Sequence, residues 1–486
     1  MEERPPILNT LPQVLGNYAQ RDGARFHMPG HKGRGLDGFF REELSGWDVT
    51  ELGGMDDLHA ARGILARTAD KYRKAYGAEH SFLSVGGSTA AIEAMLLSLD
   101  RSERLLVCRD CHRSVIGGAI LSGIWTEFFT TPFDDTFGAP SLPDAALVER
   151  ELCRTGATAV FITSPNVYGF TADLPAIADV CRKHGALLLI DAAHGAHFPF
   201  SEKLPATPAG EADLWCHSQH KTMNALTQAA TLHLSDCRIA PETVQRRLAL
   251  IETSSPSYLL LASLDWALYT AQRQDWNAHA AHMAAYAKVI GGMAGLSAAA
   301  ALSGAKDHDA TRLLIDVTGR GITGRQAQAA LEAQNVFVET ADERRLVLIT
   351  TPADDPAWYP QLLDALQRLP YQKRRIVQSV NPWTPPERVL PLREAAFAAQ
   401  EPCEIAAAAG RVAGTVVNAY PQQMPLLLPG ERVRPADAER LLSAVRAGRT
   451  FYGVRDGRIS VLKEGALWTR NGFSAASGTA GPCTRC

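Results

Sequence analysis

Six short apolar runs punctuate the first half of the chain: SFLSV (81–85), RLLVC (104–108), TAVFITS (158–164), ALLLID (186–191), DLWCHS (213–218) and AATLHL (229–234). Helical patterns lie between several of them, at 89–99, 113–122, 143–154 and 174–184. Continuous apolar strands alternating with helices predict an α/β fold with a mostly parallel sheet covered on both faces. Long helical patterns follow at 257–273 and 275–292. A second pattern opens near 309, with DATRLLIDV, a helix at 323–333, VFVET, RLVLIT and a helix near 356–368. It predicts a smaller α+β unit. The Pro-rich stretch NPWTPPERVLP (381–391) reads as a linker. Beyond it come a helix at 402–409, the segment AGTVVNAYP and a helix at 436–446. Small polar residues from about 471 predict a disordered tail. The expected layout is an N-terminal arm (1–60), a large domain (61–292), a small α+β domain (293–380) and a C-terminal domain (381–486).

Composition narrows the function class. The 486 residues are 46% hydrophobic and 21% charged, which is ordinary globular usage. A formal charge of −3 gives no electrostatic case for nucleic acid or an anionic membrane as partner. No apolar run has the length of a membrane span. The start, MEERPPILNTLPQVL, lacks a secretory signal, so a cytoplasmic protein is expected. Nine scattered cysteines argue against a disulfide framework. The pairs Cys108/Cys111 and Cys483/Cys486 have zinc-ligand spacing, but one straddles a strand end and the other closes the tail. Free thiols and no metal are expected.

The strand ends carry the chemistry, because ligands of open α/β sheets collect at the carboxyl ends of the strands. The first run leads into GGSTAAIEAML, where two glycines allow a tight turn and Ser88 and Thr89 open a helix. Free N–H groups there suit a phosphate, although plain helix capping explains the same residues. The second run ends in CRDCHRS, which brings His112 to the sheet edge, as a structural or a functional imidazole. Asp191 directly follows ALLLI, and a carboxylate at that point is costly unless paired. His220 and Lys221 follow the inward run DLWCHS. An anion cradle, a flat imidazole, a buried carboxylate and a buried lysine are together what pyridoxal phosphate needs. The phosphate takes a helix start and the ring takes a stacking partner. The carboxylate keeps the ring nitrogen protonated, and the aldehyde takes a lysine.

These segments also resemble a known family. FHMPGHKGRG (26–35), WDVTELGGMDDLH (47–59), SPNVYG (164–169), LLIDAAHGAHF (189–198), SQHKTMNALTQ (218–228), SSPSYLLLASLD (254–265) and NAYPQQMPLLLPGERV (418–433) are similar to segments of the Orn/Lys/Arg decarboxylases. The chain resembles their short form, which lacks an N-terminal wing domain. The resemblance implies an aminotransferase-like (fold type I) large domain with pyridoxal 5′-phosphate as cofactor. It implies Lys221 as the Schiff-base lysine, Asp191 as the pyridinium partner and His112 as the stacking residue. Ser88, Thr89, Ser218 and His220 become the phosphate ligands, and His194 lies near the phenolic oxygen. Ser254 resembles a position that reaches the phosphate across a dimer interface, so a homodimer is implied. Two departures concern the substrate or partner contacts: Ala192 stands where the family has an acid, and Pro421-Gln422-Gln423-Met424-Pro425 replaces a P-P-G-I-P run.

The implied reaction is decarboxylation of arginine, ornithine or lysine, in polyamine biosynthesis or acid response. Lys221 or His194 would return the proton to the carbanion. A basic substrate calls for a carboxylate in the pocket, and Asp56, Asp57, Glu51, Glu339 and Asp342 are candidates beside the plainer reading of solvated loop acids. His31 or Lys32 would touch the ligand if FHMPGHKG folds over a neighbouring subunit's pocket. Two rivals stay open. One is another pyridoxal reaction such as transamination, with Arg344 or Arg345 fixing the substrate carboxylate. The other is a non-catalytic binder of a polyamine or a protein, although a retired site has no reason to keep Lys221 and Asp191.

Overall fold

The structure, a computed structural model, describes residues 23–34, 47–51, 55–298, 301–373, 384–419 and 424–464. The chain divides into two compact units, residues 1–383 and 384–486.

The first unit is built on a seven-stranded sheet. Its strands are β1 (His80–Ser84), β2 (Arg104–Cys108), β3 (Trp125–Phe129), β4 (Ala159–Thr163), β5 (Leu187–Asp191), β6 (Leu214–Ser218) and β7 (Ala230–Leu234). They lie in the order β1-β7-β6-β5-β4-β2-β3. Neighbours from β6 to β3 pair in parallel, while β7 runs antiparallel to both β6 and β1. The expected mostly parallel sheet is therefore present. All five residues of β5 and of β6 are buried, as continuous apolar strands in a doubly covered sheet must be.

Helices cover the sheet where the sequence supplies caps and apolar faces. Helix α1 (Ile64–Tyr76) buries Leu65, Thr68, Tyr72 and Tyr76 along one stripe and stops at Gly77 in the left-handed conformation. Helix α2 (Gly87–Ser98) is buried on nearly every side, in keeping with its alanine-rich, apolar sequence. Helix α3 (Arg113–Ser122) starts at His112, and α4 (Ala145–Thr155) starts at Asp144, whose carboxylate accepts the Leu147 N–H. A single helical turn, α5 (Gln219–Thr222), follows β6.

A smaller α+β part of the same unit holds four antiparallel strands. These are β8 (Ser297–Ala298), β9 (Arg312–Asp316), β10 (Thr340–Ala341) and β11 (Arg345–Ile349), in the order β8-β9-β11-β10. Residues Ala24–Phe26, expected to be arm or loop, pair in parallel with Val336–Val338. Phe26 enters the same core as Leu313, Leu346 and Leu362. Three residues are too few to show an alternating pattern, and their partner lies far along the chain.

In the second unit Gln400–Glu404 pairs antiparallel with Arg458–Leu462. This corrects the expected helix at 402–409. Alanine-rich EIAAAAG favours a helix locally, but the ladder overrides that propensity and leaves one 3-10 turn, Ile405–Ala407. The helix expected at 436–446 is present as Pro435–Arg446. The tail from 471, Cys483, Cys486 and the Pro421–Gln423 departure lie outside the described residues. Strand β3 escaped the sequence reading because WTEFF, at the sheet edge, is only partly buried.

Ile190 sits at the centre of the sheet with no exposed surface. Ile190→Ala is expected to cost about 2–5 kcal/mol by opening a cavity. A lowered urea midpoint at unchanged slope checks it.

Candidate functional site

Asp191 ends β5 and stands in register with Thr163 on β4 and Cys216 on β6. It is 4% exposed, and its Oδ1 accepts the Ala193 N–H at 3.0 Å. Beyond the end of β6 the chain turns into α5, which presents His220 and Lys221. Lys221 Nζ lies 3.1 Å from Nε2 of His194, a buried residue of the loop after β5. Burial pushes the Lys221 amine below the ordinary lysine range, while Asp191 and then Glu339 pull it back up. The carboxylate thus acts on the amine across the ends of neighbouring strands. Among the described residues they do not close into an ion pair.

The expected phosphate ligands gather beside them. The Gly86–Gly87 turn leads from β1 into α2 and brings Ser88 and Thr89 to the helix start. Ser218 Oγ, at the end of β6, donates to Ser88 Oγ at 2.8 Å. His220 Nδ1 is 3.2 Å from the Ala229 carbonyl, and burial lowers its ring to about 4. Glu252 was not anticipated. Its carboxylate accepts the Gly86 N–H at 2.9 Å and bonds Ser84 Oγ. Ser254, two residues on, is exposed.

His112 caps α3. Its Nδ1 is 2.7 Å from Ser114 Oγ and accepts the Ser114 N–H at 3.3 Å, which fixes the ring. Burial pushes its proton affinity down, against the pull of Asp191. A neutral, immobilised imidazole beside Asp191 and Lys221 is chemically suited to stack on a flat ring.

The HMPGHKG segment packs against the Lys221 turn of its own chain. Gly30 donates its N–H to the His220 carbonyl at 2.8 Å, and its carbonyl accepts from Thr351 Oγ1 at 2.8 Å. Lys32 is 3% exposed. Its buried Nζ donates to the carbonyls of His27 at 2.9 Å and Ile349 at 2.8 Å, with Asp354 at 3.9 Å. The Met28 N–H donates to Glu339 Oε2 at 2.9 Å, and His31 Nδ1 accepts the Gly33 N–H at 3.0 Å.

The substrate candidates separate. Asp56 accepts N–H groups of Arg62, Gly63 and Leu65 at 2.7–2.9 Å, so its carboxylate caps the start of α1. Asp57 caps the turn at His59. Glu51 is exposed. Asp342 is held by Arg345 at 2.7 Å and by Tyr168. Of these acids, Glu339 is the one that acts on the Lys221 charge. Neither arginine offered for a transaminase is open to a carboxylate. Arg345 stacks over Phe137 and pairs with Asp342, and Arg344 pairs with Asp316 at 3.1 Å. Arg312 was also missed by the sequence reading. It is buried at the mouth of β9, with Nη2 3.4 Å from His194 Nδ1. The available signal was a charge directly before LLIDV.

Residues 5–287 match the sequence profile of the Orn/Lys/Arg decarboxylase major domain. The chain belongs to the Orn/Lys/Arg decarboxylase family. It is 29% identical to the arginine decarboxylase of Bacillus subtilis over 482 residues, covering 92% of this chain and 96% of that protein. It is 31% identical to the arginine decarboxylase of Bacillus cereus over 444 residues, covering 86% and 95%. The constitutive lysine decarboxylase of Escherichia coli shares the fold, with a TM-score of 0.70 at 18% identity over 93% of this chain and 81% of that one. The protein is thus a pyridoxal phosphate-dependent amino acid decarboxylase.

The decarboxylase's own residues fit that cofactor. The donor set supplies hydroxyls and a helix start for a phosphate, a fixed neutral imidazole for a ring, a buried carboxylate, and an amine of lowered proton affinity. A Cβ on Gly30 would come within 2.7 Å of the Met223 nitrogen and the Thr222 carbonyl carbon, which are rigid backbone atoms. Gly30→Ala is expected to displace the Lys221 turn, cost about 1–3 kcal/mol and weaken cofactor retention. Thermal melting and cofactor release on gel filtration check both parts.

Proposed function

We propose that this decarboxylase acts on arginine, ornithine or lysine, with Lys221 and Asp191 as its central pair. The observation that carries the reading is a buried carboxylate, Asp191, acting on the half-buried Lys221 amine at neighbouring strand ends without an ion pair between them. A carboxylate kept out of water is costly unless paired, and the cationic ring nitrogen of pyridoxal phosphate would supply that partner.

When bound, pyridoxal phosphate supplies an electron sink for the pair released as the bond to the substrate carboxylate breaks. Lys221 offers the amine that holds the cofactor's aldehyde carbon. Asp191 keeps the ring nitrogen protonated, which is the condition for accepting that pair. His112 would stack on the ring. Ser88, Thr89, Ser218 and His220 would hold the phosphate, with Ser254 added from a partner subunit in a homodimer. His194 would serve the phenolic oxygen. Either His194 or Lys221 returns a proton to the substrate carbon, and their 3.1 Å contact lets one recharge the other. Glu339 recognises the distal cation of the substrate. The two full-length relatives named as arginine decarboxylases make arginine the first substrate to test. The enzyme is proposed to work in the cytoplasm, in polyamine formation or in proton consumption under acid stress.

Amine and carbon dioxide are the expected products in a three-substrate assay. A keto acid formed without carbon dioxide contradicts the reading. Asp191→Asn is expected to lower kcat roughly 10²- to 10³-fold, as loss of one preorganised electrostatic contact does elsewhere. Glu339→Gln should raise KM for the basic substrate about tenfold or more with a smaller change in kcat, because a charged hydrogen bond is lost on binding. Equal KM values in the variant and the native enzyme remove Glu339 from the substrate site.

A further inference from the structure

Arg312 plays no part in the reading above, yet it is 2% exposed and reaches the centre of the site. Among the described residues no carboxylate stands within ion-pair distance of it. Its Nη1 donates to the Val167 carbonyl at 3.4 Å and its Nη2 faces His194 Nδ1 at 3.4 Å. The guanidinium is also held in place. A Cβ on Gly169 would lie 2.9 Å from Arg312 Cβ, so the chain packs directly on its stem.

Hydrogen-bond polarity then fixes the protons. A guanidinium has only donors, so His194 Nδ1 must accept. A neutral imidazole with a bare Nδ1 carries its proton on Nε2. That N–H points at Lys221 Nζ, 3.1 Å away. The amine must therefore accept, and an ammonium has no lone pair to accept with. The reverse assignment has an ammonium donating to Nε2 and a proton on Nδ1. It sets two buried donors against each other at Arg312.

We infer that Arg312, acting through His194, is a positioning residue that keeps the Lys221 amine neutral and its lone pair available. The inference rests on Lys221 being the cofactor lysine. The influences on Lys221 oppose one another, and burial is the largest of them. Burial and Arg312 push its proton off, whereas Asp191 from β5, Glu339 from the strand edge and Cys216 from β6 hold it on. His112 and His220 also face Lys221, and burial keeps both neutral. His194 itself is kept neutral by burial, with Arg312 adding to the effect.

The test measures Lys221 reactivity in the full chain freed of cofactor. A small amine-reactive reagent is applied across a pH series, and the Lys221 peptide is quantified by mass spectrometry. Loss of the donor-only cation in Arg312→Met should move the midpoint of reactivity upward by about one pH unit. Arg312→Lys, which keeps a cationic donor, should stay near the native profile. An unshifted Arg312→Met profile overturns the inference. Should Arg312→Met fail to fold, nitrogen-15 NMR of histidine-labelled native protein decides. A neutral His194 protonated on Nε2 is expected, and a proton on Nδ1 or an imidazolium at neutral pH overturns it. A native protein that takes up no cofactor on Lys221 would instead defeat the functional reading, and cofactor uptake measures that separately.

Discussion

Everything at the centre of this enzyme follows from the cost of holding a buried carboxylate and a half-buried amine close together at the carboxyl ends of two central strands. Asp191 closes a strand whose five residues are all buried. Lys221 follows a second such strand at once. Isolated, each charge would be expelled or neutralised. The fold allows a different solution. The backbone amide of Ala193 donates to the carboxylate, while His194 and Arg312 surround the amine with groups that favour its neutral form.

That arrangement explains the heavy structural demand on the HMPGHKG turn. Its glycine lies against the backbone of the Lys221 turn, its Met28 amide holds Glu339, and its lysine is spent on two carbonyls. A segment far away in sequence thus ties α5 and the ends of β10 and β11 into one wall. A lysine at position 32 reads in the sequence as a ligand contact. In the fold its amine is a buried clamp that joins the His27 and Ile349 carbonyls.

Much of this was legible beforehand for one physical reason: a charge that ends an apolar run is conspicuous. Asp191 and Lys221 stand out on that ground, and the buried strands β5 and β6 do as well. Arg312 carries the same signal, but it opens a strand of the smaller sheet, and sequence alone does not show that the two sheets present their ends to one another. The acids could not be ranked from sequence. Asp56 and Glu339 are equally polar letters, and only coordinates reveal that one carboxylate caps a helix while the other acts on Lys221. The strand at Gln400–Glu404 was lost to local alanine propensity, and Ala24–Phe26 to its brevity.

The central claim is that Lys221 carries the cofactor next to Asp191. The most direct measurement is borohydride reduction of the holoenzyme followed by proteolysis and mass analysis. A cofactor-sized adduct on the peptide containing Lys221, missing from Lys221→Ala, is the result expected. An adduct on any other lysine, or cofactor held equally well by the Lys221→Ala protein, would contradict the account.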